Sequence, residues 1–344
     1  MKKREIWLDV LRILAAFLVI VNHTNSDVFR SVTPANGTWW LSILWYALSK
    51  MAVPLFVMVS GACLLGREDS WRKCMGRFAR IVIVLILFSF LYYGFECWQA
   101  GQRIRLDILG RRLWKQEITD SFWYLYFYAG LMLMLPLLQR LSCAMRGRDI
   151  AYLTVMCLAF GSLWPLLTHL NPALALPSYL DMPLFSTYIG LFFAGWWIRR
   201  SAAAGRGRRL LCFLVMLVSM AASVYLLHRQ YAPDTKYWRF MDDRMQPGFL
   251  IVTAAIALAI LCKGLFSGVC PRTARLLTGL GSCAFGVYLL QDWLIAQTQL
   301  RVFLPLCSLM PAFFAAVVWE ILIFLAALTI TWVLRLIPGM KKLI

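Results

Sequence analysis

Long apolar runs recur along the whole chain, separated by short polar segments rich in arginine and lysine. Ten runs approach or exceed the ~20 mostly apolar residues that a helix needs to cross a bilayer core. They are residues 6–26, 39–65, 78–99, 121–139, 150–167, 183–199, 209–228, 247–266, 279–300 and 311–335. The pattern predicts an all-α, polytopic transmembrane helix bundle of about ten helices. No polar stretch is long enough to enclose a separate core, so residues 1–344 read as a single membrane-embedded domain. The first run follows a basic start, as a secretory leader would. Its apolar stretch is too long and lacks a small-residue cleavage site, so it reads as a retained first helix.

Composition sharpens this picture. Of 344 residues 61% are hydrophobic, and the mean hydropathy is +0.71; soluble domains run nearer half apolar. The formal net charge of +19 raises the question of nucleic acid. The distribution argues against that partner, because the basic residues sit in short loops where they orient the chain and meet anionic lipid headgroups. With both termini cytoplasmic, the inner segments hold 22 Lys and Arg residues and the outer ones 11. That bias follows the positive-inside rule and predicts a multi-pass membrane protein with cytoplasmic termini, its surface against the lipid bilayer. The exception is "GQRIRLDILGRRLWKQE", which reads as an amphipathic piece at the outer surface. The ten cysteines form no CxxC pair and mostly lie in or beside apolar runs. They read as small buried hydrophobes, and no metal site is expected. No internal repeat is visible. Pro54, Pro136, Pro165 and Pro183 do not fall at matching positions of two halves, as the broken helices of an inverted-repeat transporter would.

Charged groups at bilayer depth cost ~2.5–3.5 kcal/mol on insertion scales, so each needs a reason. The candidates are Asp9, Arg12, His23, Lys50, Glu96, Asp292 and Glu320. Arg12 and His23 are eleven residues apart, three turns plus about 20°, so they share one helical face with ~16 Å between them along the axis. Asp9 is placed to pair with Arg12. The plainer alternative is an arginine snorkelling to the inner headgroups and a histidine at the outer interface. In "RKCMGRFARI", Arg77 and Arg80 share a face at the predicted cytoplasmic side, with Arg72 and Lys73 nearby. Their guanidiniums suit phosphate, although an ordinary positive-inside cluster has the same form. Ser60-Gly61 permits close approach of a neighbouring helix. "FWYLYFY" reads as an interfacial aromatic belt. Gln291 and Asp292 interrupt the ninth run and Glu320 the tenth; a buried glutamate there points inward toward a base or cation.

Together these stretches resemble the acyltransferase-3 family of integral membrane acyltransferases. The likeness is carried by "LDVLRILAAFLVIVNH" with its Arg-x10-His spacing, "PLFVMVSGACLLG", Arg77-x-x-Arg80, "FWYLYFYAGLMLMLPLL", "YIGLFFAGWWI" and "FGVYLL", in the family's order across the chain. The resemblance implies transfer of an acyl group, usually acetyl, from cytoplasmic acyl-CoA to a hydroxyl or amine, commonly on an exopolysaccharide or other surface glycan of the cell envelope. It also implies a place in the plasma membrane. It implies His23 as catalytic base and carries the family's first-helix arginine onto Arg12 and its Arg-x-x-Arg pair onto Arg77 and Arg80. The reading of the residues themselves adds Glu320 to the catalytic set, to hold His23, and Arg72 to Arg77 and Arg80 as the holders of acetyl-CoA, with no metal. One departure stands out. Relatives often have Tyr-Leu-x-His in the ninth helix, and this chain has Tyr288-Leu289-Leu290-Gln291. The rival class is a membrane transporter or flippase for an envelope precursor, in which embedded Arg, His and Glu would form a proton path.

Overall fold

The structure is a computed structural model that describes residues 4–31, 37–175, 186–230 and 248–344, with side chains described to Thr24 in the first segment and to Arg229 in the third. It is an all-α polytopic bundle. Eight of its described helical stretches are long and apolar enough to span a membrane. The two remaining apolar runs are represented by Phe249–Leu265 and Thr187–Arg200, the latter following residues 176–185, which lie outside the described ones. Helices are numbered α1 (Ile6–Ser31), α2 (Trp39–Ser49), α3 (Ala52–Leu64), α4 (Trp71–Gln99), α5 (Leu106–Lys115), α6 (Trp123–Ala144), α7 (Gly147–Leu158), α8 (Trp164–Leu170), α9 (Thr187–Arg200), α10 (Arg206–Gln230), α11 (Phe249–Leu265), α12 (Pro271–Thr298), α13 (Leu304–Leu309), α14 (Ala312–Leu334) and α15 (Met340–Leu343).

Proline chemistry explains where apolar runs break. The run over 39–65 divides into α2 and α3 at Lys50-Met51. Pro54 lacks an amide proton, and its ring collides with the carbonyl four residues earlier, that of Lys50. The Lys50 ammonium then lies 4.3 Å from the Tyr46 ring centre. Wide π-turns at Ala159–Leu163 and Gln299–Phe303 sit immediately upstream of Pro165 and Pro305 and relieve the same clash within longer rods.

Helix α1 is central, packed against α2, α3, α12 and α14. Its Ala15, Ala16, Ile20 and Val21 are fully buried. Glycines set the closest approaches. A Cβ on Gly61 would lie 1.8 Å from the Phe192 carbonyl oxygen, and one on Gly195 would lie 1.9 Å from that of Met58. α3 and α9 therefore meet backbone to backbone, as the Ser60-Gly61 pair predicts. Gly281 likewise admits Asp9 of α1, and Gly286 admits Thr331 of α14, so α12 is clamped between α1 and α14. Large apolar side chains such as Ile83, Ile86 and Leu91 on α4 and Leu322 and Leu325 on α14 point outward. In a bilayer that surface meets lipid.

Arg4, the first described residue, and the C-terminal residues lie at one end of the bundle. Arg4 contacts the Thr278 carbonyl, Arg80 contacts Leu343, and Arg4, Arg335 and Lys341 line one cavity. At the opposite end α5 packs Leu109 against Tyr93 and Cys97. Its Arg112 pairs with Glu96 at 2.8 Å, and Arg105 and Arg111 pair with Asp107. The basic outer segment thus forms an amphipathic surface helix that neutralises part of its own charge. All ten cysteines are free; six are buried, Cys63 and Cys307 are half-buried, and Cys143 and Cys270 are exposed, which departs from the expectation for those four.

Candidate active site

A cavity of about 1180 Å³ opens at the end of the bundle that holds Arg4 and the C-terminal residues. It exceeds the ~300–1,000 Å³ of common small-molecule sites. Among the helices that line it, four present residues at three- and four-residue spacing. α3 presents Phe56, Val59, Ser60 and Cys63; α6 presents Tyr124, Tyr128 and Met132; α12 presents Gly281, Phe285 and Tyr288; α1 contributes Leu8 and Arg12, with Arg4 and Glu5 just before it. Such spacing is one face of an α-helix.

The mouth is strongly cationic. Arg4, Arg12, Arg67, Arg77, Arg80, Arg199, Arg200, Arg335 and Lys341 line the cavity, against the carboxylate of Glu5. Three carboxylates organise part of this charge. Asp9 is fully buried and receives Arg4 through two bonds (2.8 and 2.9 Å) and Arg12 at 2.6 Å. Arg12 also reaches Cys63 Sγ at 3.0 Å. Glu5 accepts from Arg199 at 2.6 Å, while Arg199 Nη1 donates to the Ala62 carbonyl at the end of α3. Asp69, in the α3–α4 connection, holds Lys73 at 2.6 Å, Arg77 at 2.8 Å and Arg67 at 3.2 Å. Burial pushes the Asp69 carboxyl up, but hydrogen bonds from Lys73, Arg77 and Gln139 outweigh it and hold the group well below the usual carboxylate range.

Other charges remain for a ligand. Arg80, Arg200, Arg335 and Lys341 make no ion pair among the described residues. Arg80 instead donates to the Leu343 carbonyl at 2.9 and 3.2 Å. Arg77 Nη1 is buried with no hydrogen-bond partner. An orphaned buried donor costs ~1–3 kcal/mol, more for a charged group, and an anion at this position would relieve that cost.

The inner end of the cavity is aromatic. Tyr124 stacks on Tyr128, and Tyr124, Phe56 and Tyr288 meet with ring centres 5.8–6.4 Å apart. One turn beyond Tyr288 on the same stripe of α12 is Asp292, ~6 Å further along the axis. The two are wired together. Tyr288 donates to the Ser121 carbonyl at 2.6 Å, and the Ser121 hydroxyl donates to Asp292 Oδ2 at 2.5 Å. The Thr119 hydroxyl (2.6 Å) and the Ser121 amide (3.3 Å) complete that oxygen's shell. Asp292 Oδ1 receives the Gln291 amide and faces His23 Nδ1 at 3.8 Å. His23 and Asp292 are both partly accessible, with side chains 22% and 11% exposed.

The structure gathers some of the sequence-derived candidates and separates others. Arg12, Arg77 and Arg80 line one cavity, and His23 lies beyond its inner end. Arg72 is exposed on α4 and is not part of the lining. Glu320 is fully buried, yet it accepts from Thr24 at 2.6 Å and Trp45 at 2.8 Å; the carboxylate within ion-pair range of His23 is Asp292. Gln291, in the Tyr288-Leu289-Leu290-Gln291 stretch, is buried and fixes Asp292. Arg4, Arg199, Arg200, Arg335 and Lys341 are cavity residues that helix-face reasoning does not select. Their signal was only their membership of the positive-inside segments. Among the described residues no group of three or more His, Cys, Asp or Glu side chains is placed to hold a metal ion. Of the outer loops 27–38 and 229–246, residues 32–36 and 231–246 lie outside the described ones.

Fold and site define an integral membrane protein with a large cationic cavity, beyond whose aromatic inner end lies the partly accessible His23–Asp292 pair. A family model described as an acyltransferase domain matches residues 5–336, nearly the whole chain, and the chain belongs to the acyltransferase-3 family. It is therefore a multi-pass membrane acyltransferase. Neither a curated protein nor a solved structure matches it.

Proposed function

We propose that this acyltransferase moves an acyl group, acetyl in the simplest case, from cytoplasmic acyl-CoA to a hydroxyl or amine of a cell-envelope acceptor such as an exopolysaccharide. The basic end of the bundle faces the cytoplasm of a plasma-membrane protein, as the charge bias directs. The observation that carries this reading is the continuous stripe on α12. It lines a cavity bearing Arg12, Arg77 and Arg80 and ends, one turn on, at the carboxylate facing His23.

In this reading Arg77 and Arg80 hold the donor's phosphates, with Arg200, Arg335 and Lys341 supplying further charge at the mouth. The planar guanidinium fork makes arginine well suited to such bidentate contacts. The pantetheine arm follows the aromatic stripe past Arg12 toward Tyr288. Asp292 holds the His23 ring through Nδ1, leaving Nε2 to take the proton of the acceptor hydroxyl or amine. The acceptor atom bonds to the thioester carbonyl carbon, the carbon–sulfur bond breaks, and the proton passes from His23 to the departing CoA sulfur. The 3.8 Å separation of His23 and Asp292 exceeds a hydrogen bond; catalytic contacts of this kind often tighten only with substrate bound. Glu320 acts as a positioning residue, anchoring α1 through Thr24, the residue after His23, to α14.

His23→Ala is expected to abolish transfer of labelled acetyl from acetyl-CoA to envelope material while acetyl-CoA still binds the purified protein. Substantial residual transfer by that variant would remove His23 as the base.

A further inference from the structure

A second concavity, of about 720 Å³, lies between α12 and α14 on the bundle's outer side. Its wall on α14 runs from Leu325 to Arg335, ten residues or ~15 Å. That is half the ~30 Å hydrocarbon core, the depth of one leaflet. The inner part is apolar, with Leu325, Leu328 and the exposed indole of Trp332. Gly279 forms part of its floor; a Cβ there would meet nothing within 4 Å.

The mouth differs in chemistry. Arg275, near the start of α12, and Lys341, beyond the end of α14, flank it. Both are exposed, and neither has a hydrogen bond or ion pair among the described residues. Arg335 stands between this groove and the main cavity, bonding to Ser282 at 2.6 Å. Two cations without protein partners at headgroup depth, above an apolar slot one leaflet long, match a molecule with an anionic head and a hydrocarbon tail.

We propose that this groove binds one anionic phospholipid of the leaflet at the basic end. Its phosphate rests on Arg275 and Lys341, and one acyl chain lies along α14 over Gly279 and against Trp332. The groove shares Ser282, Arg335 and Lys341 with the mouth of the main cavity, but Arg275 and its apolar slot of Gly279, Leu325, Leu328 and Trp332 do not line that cavity, and lipid binding there does not depend on the reaction proposed above.

The test uses the full-length protein in nanodiscs. Trp332 fluorescence, taken as the difference between the wild type and Trp332→Phe, is quenched by brominated phosphatidylglycerol or brominated phosphatidylcholine in an unbrominated background. Brominated phosphatidylglycerol is expected to quench at about 25-fold lower mole fraction, roughly fivefold for each of the two unpaired surface cations. Arg275→Gln is expected to reduce that preference, and Gly279→Leu to reduce quenching by both lipids. Melting curves of both variants should stay close to wild type, because each side chain faces open space. Equal quenching by the two lipids in the wild type would overturn the proposal, leaving only ordinary surrounding lipid. So would a preference unchanged by Arg275→Gln, or quenching unchanged by Gly279→Leu.

Discussion

His23 Nδ1 lies 3.8 Å from Asp292 Oδ1, joining the first membrane helix to the ninth apolar run. Asp292 is itself held by Thr119, Ser121 and Gln291, so its position is fixed before any substrate arrives. If it orients the base, Asp292→Asn should lower kcat by about 10²-fold, the lower end of what positioned proton transfer contributes. The dissociation constant for acetyl-CoA should stay unchanged, because Asp292 lies beyond the aromatic end of the cavity. A merely structural role would lower thermal stability and donor affinity together. Steady-state kinetics beside calorimetric binding separates the two outcomes.

Donor affinity should follow the cavity lining rather than proximity in sequence. Arg77→Ala and Arg80→Ala each remove a charged donor worth ~1.5–3 kcal/mol. Each should weaken acetyl-CoA binding by about 10- to 100-fold. Arg72→Ala, on the exposed side of α4, should change it by less than about threefold. Titration calorimetry on the three variants checks the assignment, and an equal effect at Arg72 would move the phosphate site out of the cavity.

The contrast between Arg72 and Arg77 shows what the sequence could and could not supply. Periodicity places Arg77 and Arg80 on one face of a helix, and Arg12 and His23 on one face of another. It also shows all ten apolar runs. It does not show which face meets which neighbour. The choice of Asp292 over Glu320 as the carboxylate facing His23 depends on how α12 seats between α1 and α14, and that seating rests on Gly281 and Gly286. The same limit hid the cavity's other cations. Arg4, Arg199, Arg200, Arg335 and Lys341 come from three separate polar segments and converge only through packing.

Asp69 offers a pH-dependent signature for the mouth of the cavity. Its carboxyl is held below the ordinary value of 3.8. A group whose folded value is depressed stabilises the fold fully above its unfolded value, and that contribution is lost as pH falls toward the folded one. Asp69→Asn should therefore melt several degrees below wild type at pH 6–8, where Lys73, Arg77 and Arg67 lose their shared anion. The gap should narrow steadily as pH falls below about 4. Thermal unfolding in detergent across that range measures it; a gap that widens in acid would contradict the sign.

Gly61 and Gly279 give a paired test of helix packing. A methyl group on Gly61 would meet the backbone carbonyl of Phe192 at 1.8 Å, and that oxygen has no rotamer with which to move away. Relief requires α3 and α9 to separate, which opens the wall carrying Phe56, Ser60 and Cys63. Gly61→Ala should therefore destabilise the protein by about 1–3 kcal/mol, the usual cost of overpacking. It should also reduce transfer more than its effect on folded yield explains. Gly279→Ala adds the same methyl where nothing lies within 4 Å. Alanine is the better helix former by about 1 kcal/mol, so that variant should be neutral or slightly more stable. Comparing melting temperature and folded yield for the two variants distinguishes a glycine required by helix contact from one that borders open space.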